Sequence, residues 1–174
     1  AFSTGIDGLE GDLNSMQLIN LAWGTEFFWD GRAEGMETQA ALPVINPIEM
    51  HETWTTVVSK LQNDEDYPTM FEQAFGTSDI DSLLAVKGIA QFERSLVSGN
   101  SRYDQFLRGE ISLNSQEIAG LQLFRNEGPV DGIPNGADCF HCHVEPMFTD
   151  NTFHNNGLDA NFADLGLGAI TGLS

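Results

Sequence analysis

Apolar residues along this chain recur mostly at helical intervals. Ile80, Leu83, Leu84, Val86, Ile89, Ala90, Phe92, Leu96 and Val97 make one broad apolar face, which predicts a long helix. Upstream, Ser78-Asp-Ile-Asp81 has the form of a capping box, and Ser98-Gly99-Asn100 supplies a stop. A second helix start is written at Asn114, with Glu117 three residues on and Leu113 and Ile118 spaced as a hydrophobic staple. Ile118, Leu121 and Phe124 continue that period. Weaker helical patterns cover about 15–23, 34–42, 50–62 and 67–75. The alternation that marks strands is nearly absent, so the expected fold class is all-α.

Two stretches break the pattern. GPVDGIPNGA, residues 128–137, is a turn-rich loop, and the tail DLGLGAITGLS is glycine-rich and uncapped, so it reads as a loop. A domain boundary is expected near 109–112, dividing residues 1–111 from 112–174. The second part is near the size at which a core alone is marginal, so it needs a staple, a metal or a cofactor.

Composition narrows the function classes. An apolar fraction of 41% with 12 Phe and 3 Trp supports a packed core and argues against disorder. No apolar run approaches the roughly 20 residues of a membrane helix. The opening AFSTGIDGLEGD is polar, resembles no secretory leader and lacks an initial Met, so the chain reads as a processed or excised piece. Seven basic residues against 26 acidic give a formal charge of −19. Such a surface repels a phosphate backbone and disfavours nucleic acid and anionic membranes. It leaves either a solvated acidic face or a docking face for a basic partner.

The chemistry concentrates in Cys139-Phe-His-Cys-His143, which holds both cysteines and two of the four histidines. A disulfide between Cys139 and Cys142 would close a tiny loop and constrain little chain entropy. A zinc site could recruit Cys139, Cys142, His143 and His154, but the usual second ligand pair is missing. A thioredoxin-like dithiol needs a βαβ setting that this pattern lacks. C-x-x-C-H is also the attachment motif of c-type haem: two thiols form thioethers to one porphyrin, and the next histidine ligates the iron. A haem would supply the core that the small second part lacks. His141 is assigned no role. Met147 stands too near His143 to reach the opposite haem face, and His154 is either a sixth ligand or a hydrogen-bonding surface histidine.

The blocks around the motif carry a resemblance. GDLNSMQLINLAW, FFWDGRAEGMETQAALPVINPIEM, FERSLVSGNSRYDQFLRG, LNSQEIAGLQLF and CFHCHVEPMFTDNTFHNNGL follow one another over nearly the whole chain. In this order they resemble the bacterial di-haem cytochrome c peroxidase family, which includes the MauG-type enzymes. The resemblance implies two cytochrome c-like domains, 1–111 incomplete at its N-terminus and 112–174 incomplete at its C-terminus. It implies an N-terminal haem that reduces hydrogen peroxide to water. A C-terminal haem, matched by Cys139, Cys142 and His143, would collect electrons from a small cytochrome c or cupredoxin.

Residue by residue, Trp29 corresponds to the family's tryptophan between the haems. Gln39 and Glu49 correspond to the amide and the acid/base of the peroxide pocket, and Asn14 to a contributor to a calcium site. On the residues alone, Trp29 reads as a core aromatic and Glu49 as a charge beside the Pro47 turn; only the family pattern gives them roles. Asp30 and Arg32 either pair with each other or contact a haem propionate. The resemblance puts the family's first C-x-x-C-H just before residue 1 and a distal Met beyond 174, so an internal fragment is expected in preference to a shortened relative. Haem attachment by this motif implies the periplasm or cell exterior, and the family often forms homodimers. The alternatives are a mono-haem electron carrier and a MauG-like oxidase of a protein or peptide.

Overall fold

The computed structural model describes residues 2–129, 135–155, 157–158, 160–162 and 164–172. Its helices are α1 Met36–Ile45, α2 Trp54–Gln62, α3 Tyr67–Phe75, α4 Ser82–Ser95, α5 Arg102–Leu107, α6 Ser115–Arg125 and α7 Leu167–Thr171. A small antiparallel hairpin pairs β1 Glu26–Phe27 with β2 Ala33–Glu34, and 3-10 turns stand at Leu21–Trp23 and Cys139–His141. The fold is mostly helical, as the periodicity predicts. The chain divides into two compact units, Ala1–Leu96 with Gly157–Ser174, and Val97–Asn156. The expected boundary at 111/112 falls between α5 and α6, inside the second unit.

In the first unit, Met36 of α1 and Ala90 of α4 pack with Leu21, Phe27 and Ala33, flanked by Met16, Phe28 and Leu42. A second cluster joins Phe71, Ile80 and Ala85, with Trp54, Leu61 and Leu84 against it. Burying a Leu, Ile, Phe or Met side chain in these clusters stabilises by roughly 1.5–3 kcal/mol, and an alanine by less. Arg94, in the last turn of α4, adds an ion pair with Glu37 of α1 at 2.7 Å. Hydrogen bonding from that guanidinium holds the Glu37 carboxyl below its ordinary value.

Local chemistry explains where the elements depart from the periodic reading. The predicted helix over 15–23 is reduced to the 3-10 turn, because Asn20 adopts a left-handed φ of 61° and Leu18 and Ile19 find no core to enter. The cap of α4 is Asp81, not Ser78: its carboxylate accepts from the Leu84 N–H at 2.7 Å. The 50–62 pattern begins only at Trp54, after the Thr53 cap and a left-handed His51. The 34–42 pattern runs on to Ile45 through Pro43, whose missing N–H leaves the Gln39 carbonyl without its donor four residues on.

Segment 67–75 and the Asn114 start stand where the pattern puts them. Helix α5 was not anticipated, and the glycine-rich tail carries the short α7 in place of a continuous loop. Of the turn-rich loop 128–137, residues 130–134 lie outside the described residues. Among the described residues, no helix is long and apolar enough to cross a membrane.

Candidate functional site

The first unit carries a half-open cavity of about 1060 Å³, just above the roughly 300–1,000 Å³ common for small-molecule and cofactor sites. Asn14, Trp29, Gln39 and Glu49 all line it, together with Arg32 and Pro43. These residues come from separate blocks of sequence, and the fold of one unit brings them to one space.

Trp29 follows β1 and is 58% exposed, so it is not the core aromatic that its apolar neighbours predict. Its indole Nε1–H donates to the Asn14 carbonyl at 2.7 Å, which fixes the ring at the cavity wall. Gln39 is buried within α1, and its Oε1 has no hydrogen-bond partner among the described residues. Such an oxygen costs roughly 1–3 kcal/mol unless something satisfies it. Glu49 sits half-buried in the turn after Pro47. Its N–H donates to the Asn46 carbonyl at 3.0 Å, and its own carbonyl accepts from Ile6 N–H at 2.8 Å. The N-terminal segment crosses so closely that a Cβ on Gly5 would lie 2.1 Å from the Ile48 carbonyl oxygen. Arg32 pairs with Asp30 at 2.9 Å and stacks its guanidinium 3.8 Å over the Phe28 ring.

The second unit holds the cysteine motif. Ala137 N–H donates to the Leu123 carbonyl at 2.7 Å and Asp138 N–H to the Asn126 carbonyl at 3.2 Å, seating the motif on the end of α6. Gly136 permits this: a Cβ there would lie 2.0 Å from the Asn126 oxygen. The thiols of Cys139 and Cys142 are unpaired, the first half-buried and the second exposed.

His143 Nδ1 stands 3.0 Å from the Phe148 carbonyl. A carbonyl oxygen only accepts, so Nδ1 carries the proton and Nε2 presents its lone pair, the arrangement that a metal-ligating imidazole needs. His154 is engaged otherwise, its Nε2 2.7 Å from both Asp150 and Thr152. Hydrogen bonding to His154 holds the Asp150 carboxyl down at about 2. Among the described residues, no three His, Cys, Asp or Glu side chains converge as a metal would need, so Cys139, Cys142, His143 and His154 form no zinc cluster. His141 pairs with Asp138 at 3.0 Å.

The residues present fit haem c. The two thiols are free, the adjacent imidazole has the required tautomer, and no described residue of 97–156 is fully buried. Tyr103, Phe124 and Phe148 instead line a pocket of about 370 Å³, an aromatic surface suited to a porphyrin.

Sequence reasoning missed one network here. Glu145 accepts from Tyr103 OH at 2.8 Å and from Arg125 Nη2 at 2.7 Å. Arg125 holds the Glu145 carboxyl below its usual range, with Tyr103 adding to the effect. The three residues are far apart in sequence; Tyr103 and Glu145 fall in two of the ordered blocks quoted above, but nothing in those blocks pairs them, and Arg125 lies outside them.

A helical chain with paired free thiols and an adjacent imidazole of this tautomer has the construction of a c-type haem protein. A family model, di-haem cytochrome c peroxidase, matches residues 1–112. The chain is 37% identical over 153 residues to the methylamine utilization protein MauG of Methylorubrum extorquens, covering 87% of this chain and 40% of that protein. It is 33% identical over 171 residues to the cytochrome c peroxidase Ccp of Escherichia coli K12, covering 94% of this chain and 34% of that one. The crystal structure of a MauG-like protein associated with microbial copper homeostasis matches with a TM-score of 0.83 at 27% identity, over 98% of this chain and 54% of that chain. This chain belongs to the di-haem cytochrome c peroxidase family. It spans well under half the length of the two relatives named from sequence. Haem c is the cofactor that family membership implies.

Proposed function

We propose that this chain is part of a di-haem peroxidase that reduces hydrogen peroxide to water. Cys139, Cys142 and His143 would hold a haem c, which would supply the entry point for electrons from a small redox protein. The observation that carries this reading is the single cavity lined by Asn14, Trp29, Gln39 and Glu49. In this account residues 1–111 serve the peroxide side and 112–174 the electron-entry side.

When bound, the haem supplies a redox-active iron for cleaving the O–O bond. The Glu49 carboxylate takes a proton from one peroxide oxygen and returns it to the departing one, which leaves as water. Gln39 orients the peroxide through an amide that does not compete for that proton, and the ligand satisfies its orphaned oxygen. Trp29 offers an aromatic ring for electron passage. Asn14 would supply one oxygen ligand to a calcium ion. The protein works in the periplasm or at the cell exterior, as a homodimer, and its donor is a basic cytochrome c or cupredoxin attracted by the charge of −19.

Glu49→Gln is expected to lower peroxide turnover by about 10²–10⁴-fold, the usual contribution of a positioned acid/base. Turnover equal to that of the unmodified enzyme removes Glu49 from the chemistry. A second reading, a MauG-like oxidase of a protein or peptide, is favoured by the 37% identical relative and by the solved MauG-like structure. Steady-state turnover of peroxide with a reduced small cytochrome separates the two, since such an oxidase directs its oxidising power to another protein.

A further inference from the structure

We infer that Tyr103, Arg125 and Glu145 are positioning residues for the imidazole of His143, acting through the backbone carbonyl of Phe148. The inference rests on the haem c reading of Cys139, Cys142 and His143. The imidazole is oriented by one hydrogen bond, from Nδ1–H to the Phe148 carbonyl at 3.0 Å. Where that carbonyl points therefore decides where Nε2 points. Phe148 has a left-handed φ of 58°, a conformation that a bulky residue keeps only when its surroundings impose it.

Those surroundings grip the His143–Phe148 loop at two points. At one, the Phe148 ring meets Tyr103 edge-on at 5.7 Å and Phe124 edge-on at 5.6 Å. At the other, the Glu145 carboxylate accepts a two-pronged contact from Arg125, Nε at 3.0 Å and Nη2 at 2.7 Å. The Tyr103 hydroxyl donates to that carboxylate at 2.8 Å and accepts from Arg125 Nη2 at 2.7 Å. Tyr103 thus serves both points, its hydroxyl holding Glu145 and its ring holding Phe148. A forked guanidinium contact fixes direction as well as distance. Arg125 closes α6, the helix whose Leu123 and Asn126 carbonyls seat the residues before Cys139. One helix end therefore organises the chain on both sides of the motif.

An imidazole that gives its far proton to a well-aimed carbonyl is a stronger donor to iron through its other nitrogen. Loosening the aim weakens that donation and favours ferrous over ferric iron. A set of contacts that merely tied α5 to α6 would leave this balance alone.

The test uses the haem-loaded protein and reads covalent haem content, the midpoint potential of the haem on His143 and its low-temperature paramagnetic resonance. Glu145→Gln is expected to retain haem while shifting the ferric–ferrous balance by about tenfold toward ferrous, a rise of about 59 mV for one electron. Tyr103→Phe keeps both ring contacts and is expected to move the potential the same way by less. Unchanged potentials and resonance in both variants, with haem attached, overturn the inference. Where Glu145→Gln fails to mature, the Tyr103→Phe potential decides alone. An unmodified protein without covalent haem overturns the underlying reading, and this inference with it.

Discussion

Gln39 and Glu93 each bury a side-chain oxygen that meets no partner among the described residues, and the two have different consequences. Gln39 lines the cavity, so a ligand can reach its oxygen. Gln39→Leu is expected to keep or raise the melting temperature while raising the KM for peroxide severalfold, because it removes an unsatisfied group that only the ligand would satisfy. Glu93 lies in α4, where desolvation pushes its carboxyl above the ordinary 4.5. A carboxyl raised in the folded state favours folding at low pH and loses that advantage as pH rises through its folded value. Glu93→Gln should therefore stabilise at pH 7 by on the order of 1 kcal/mol. In urea titrations that gain should vanish below the ordinary 4.5, where both states hold the proton. At this scale the sequence alone was a poor guide. Gln39 and Glu49 drew roles only from the family pattern. The Tyr103–Arg125–Glu145 contact was invisible because its members stand 20 and 42 positions apart.

Elements were legible where a cap and a period agreed. Helix α6 starts at Asn114, whose side chain accepts from both Gln116 N–H and Glu117 N–H at 2.9 Å, while Glu117 answers at 2.7 Å. Asn114→Ala should cost about 1 kcal/mol of stability in denaturant unfolding. Helix α5 was missed because six residues are too few to show a period, although Ser101 and Asp104 form a capping box that the spacing Ser-x-x-Asp announces. The helix read over 15–23 failed for the converse reason, apolar residues at helical spacing without a cap or a surface to cover. Close backbone approach leaves only a glycine as its trace. Gly136→Ala is expected to cost roughly 1–3 kcal/mol through overpacking against Asn126. It should also lower the fraction of chains that mature with haem, as read by absorbance per protein.

At the scale of the molecule, the charge of −19 dominates, and six of the seven basic side chains are paired with carboxylates. Little positive surface remains to offset that field. The association rate with a basic donor protein should fall steeply with ionic strength, by roughly tenfold or more once the Debye length drops from about 30 Å to about 8 Å. A rate indifferent to salt would remove electrostatic steering from the account. The helical class was legible from the periodic pattern, as was the family from its ordered sequence blocks. The division of the chain into its compact units was not, because residues 157–174 join the first unit from far along the sequence.

All of this turns on one covalent attachment. The direct measurement is the intact mass of the protein matured in a host that attaches haem c outside the cytoplasmic membrane, compared with a Cys139→Ala, Cys142→Ala double variant. The account predicts one haem bound through this motif and its loss in the variant. Two free thiols at Cys139 and Cys142, with the same mass increment in both proteins, would contradict it.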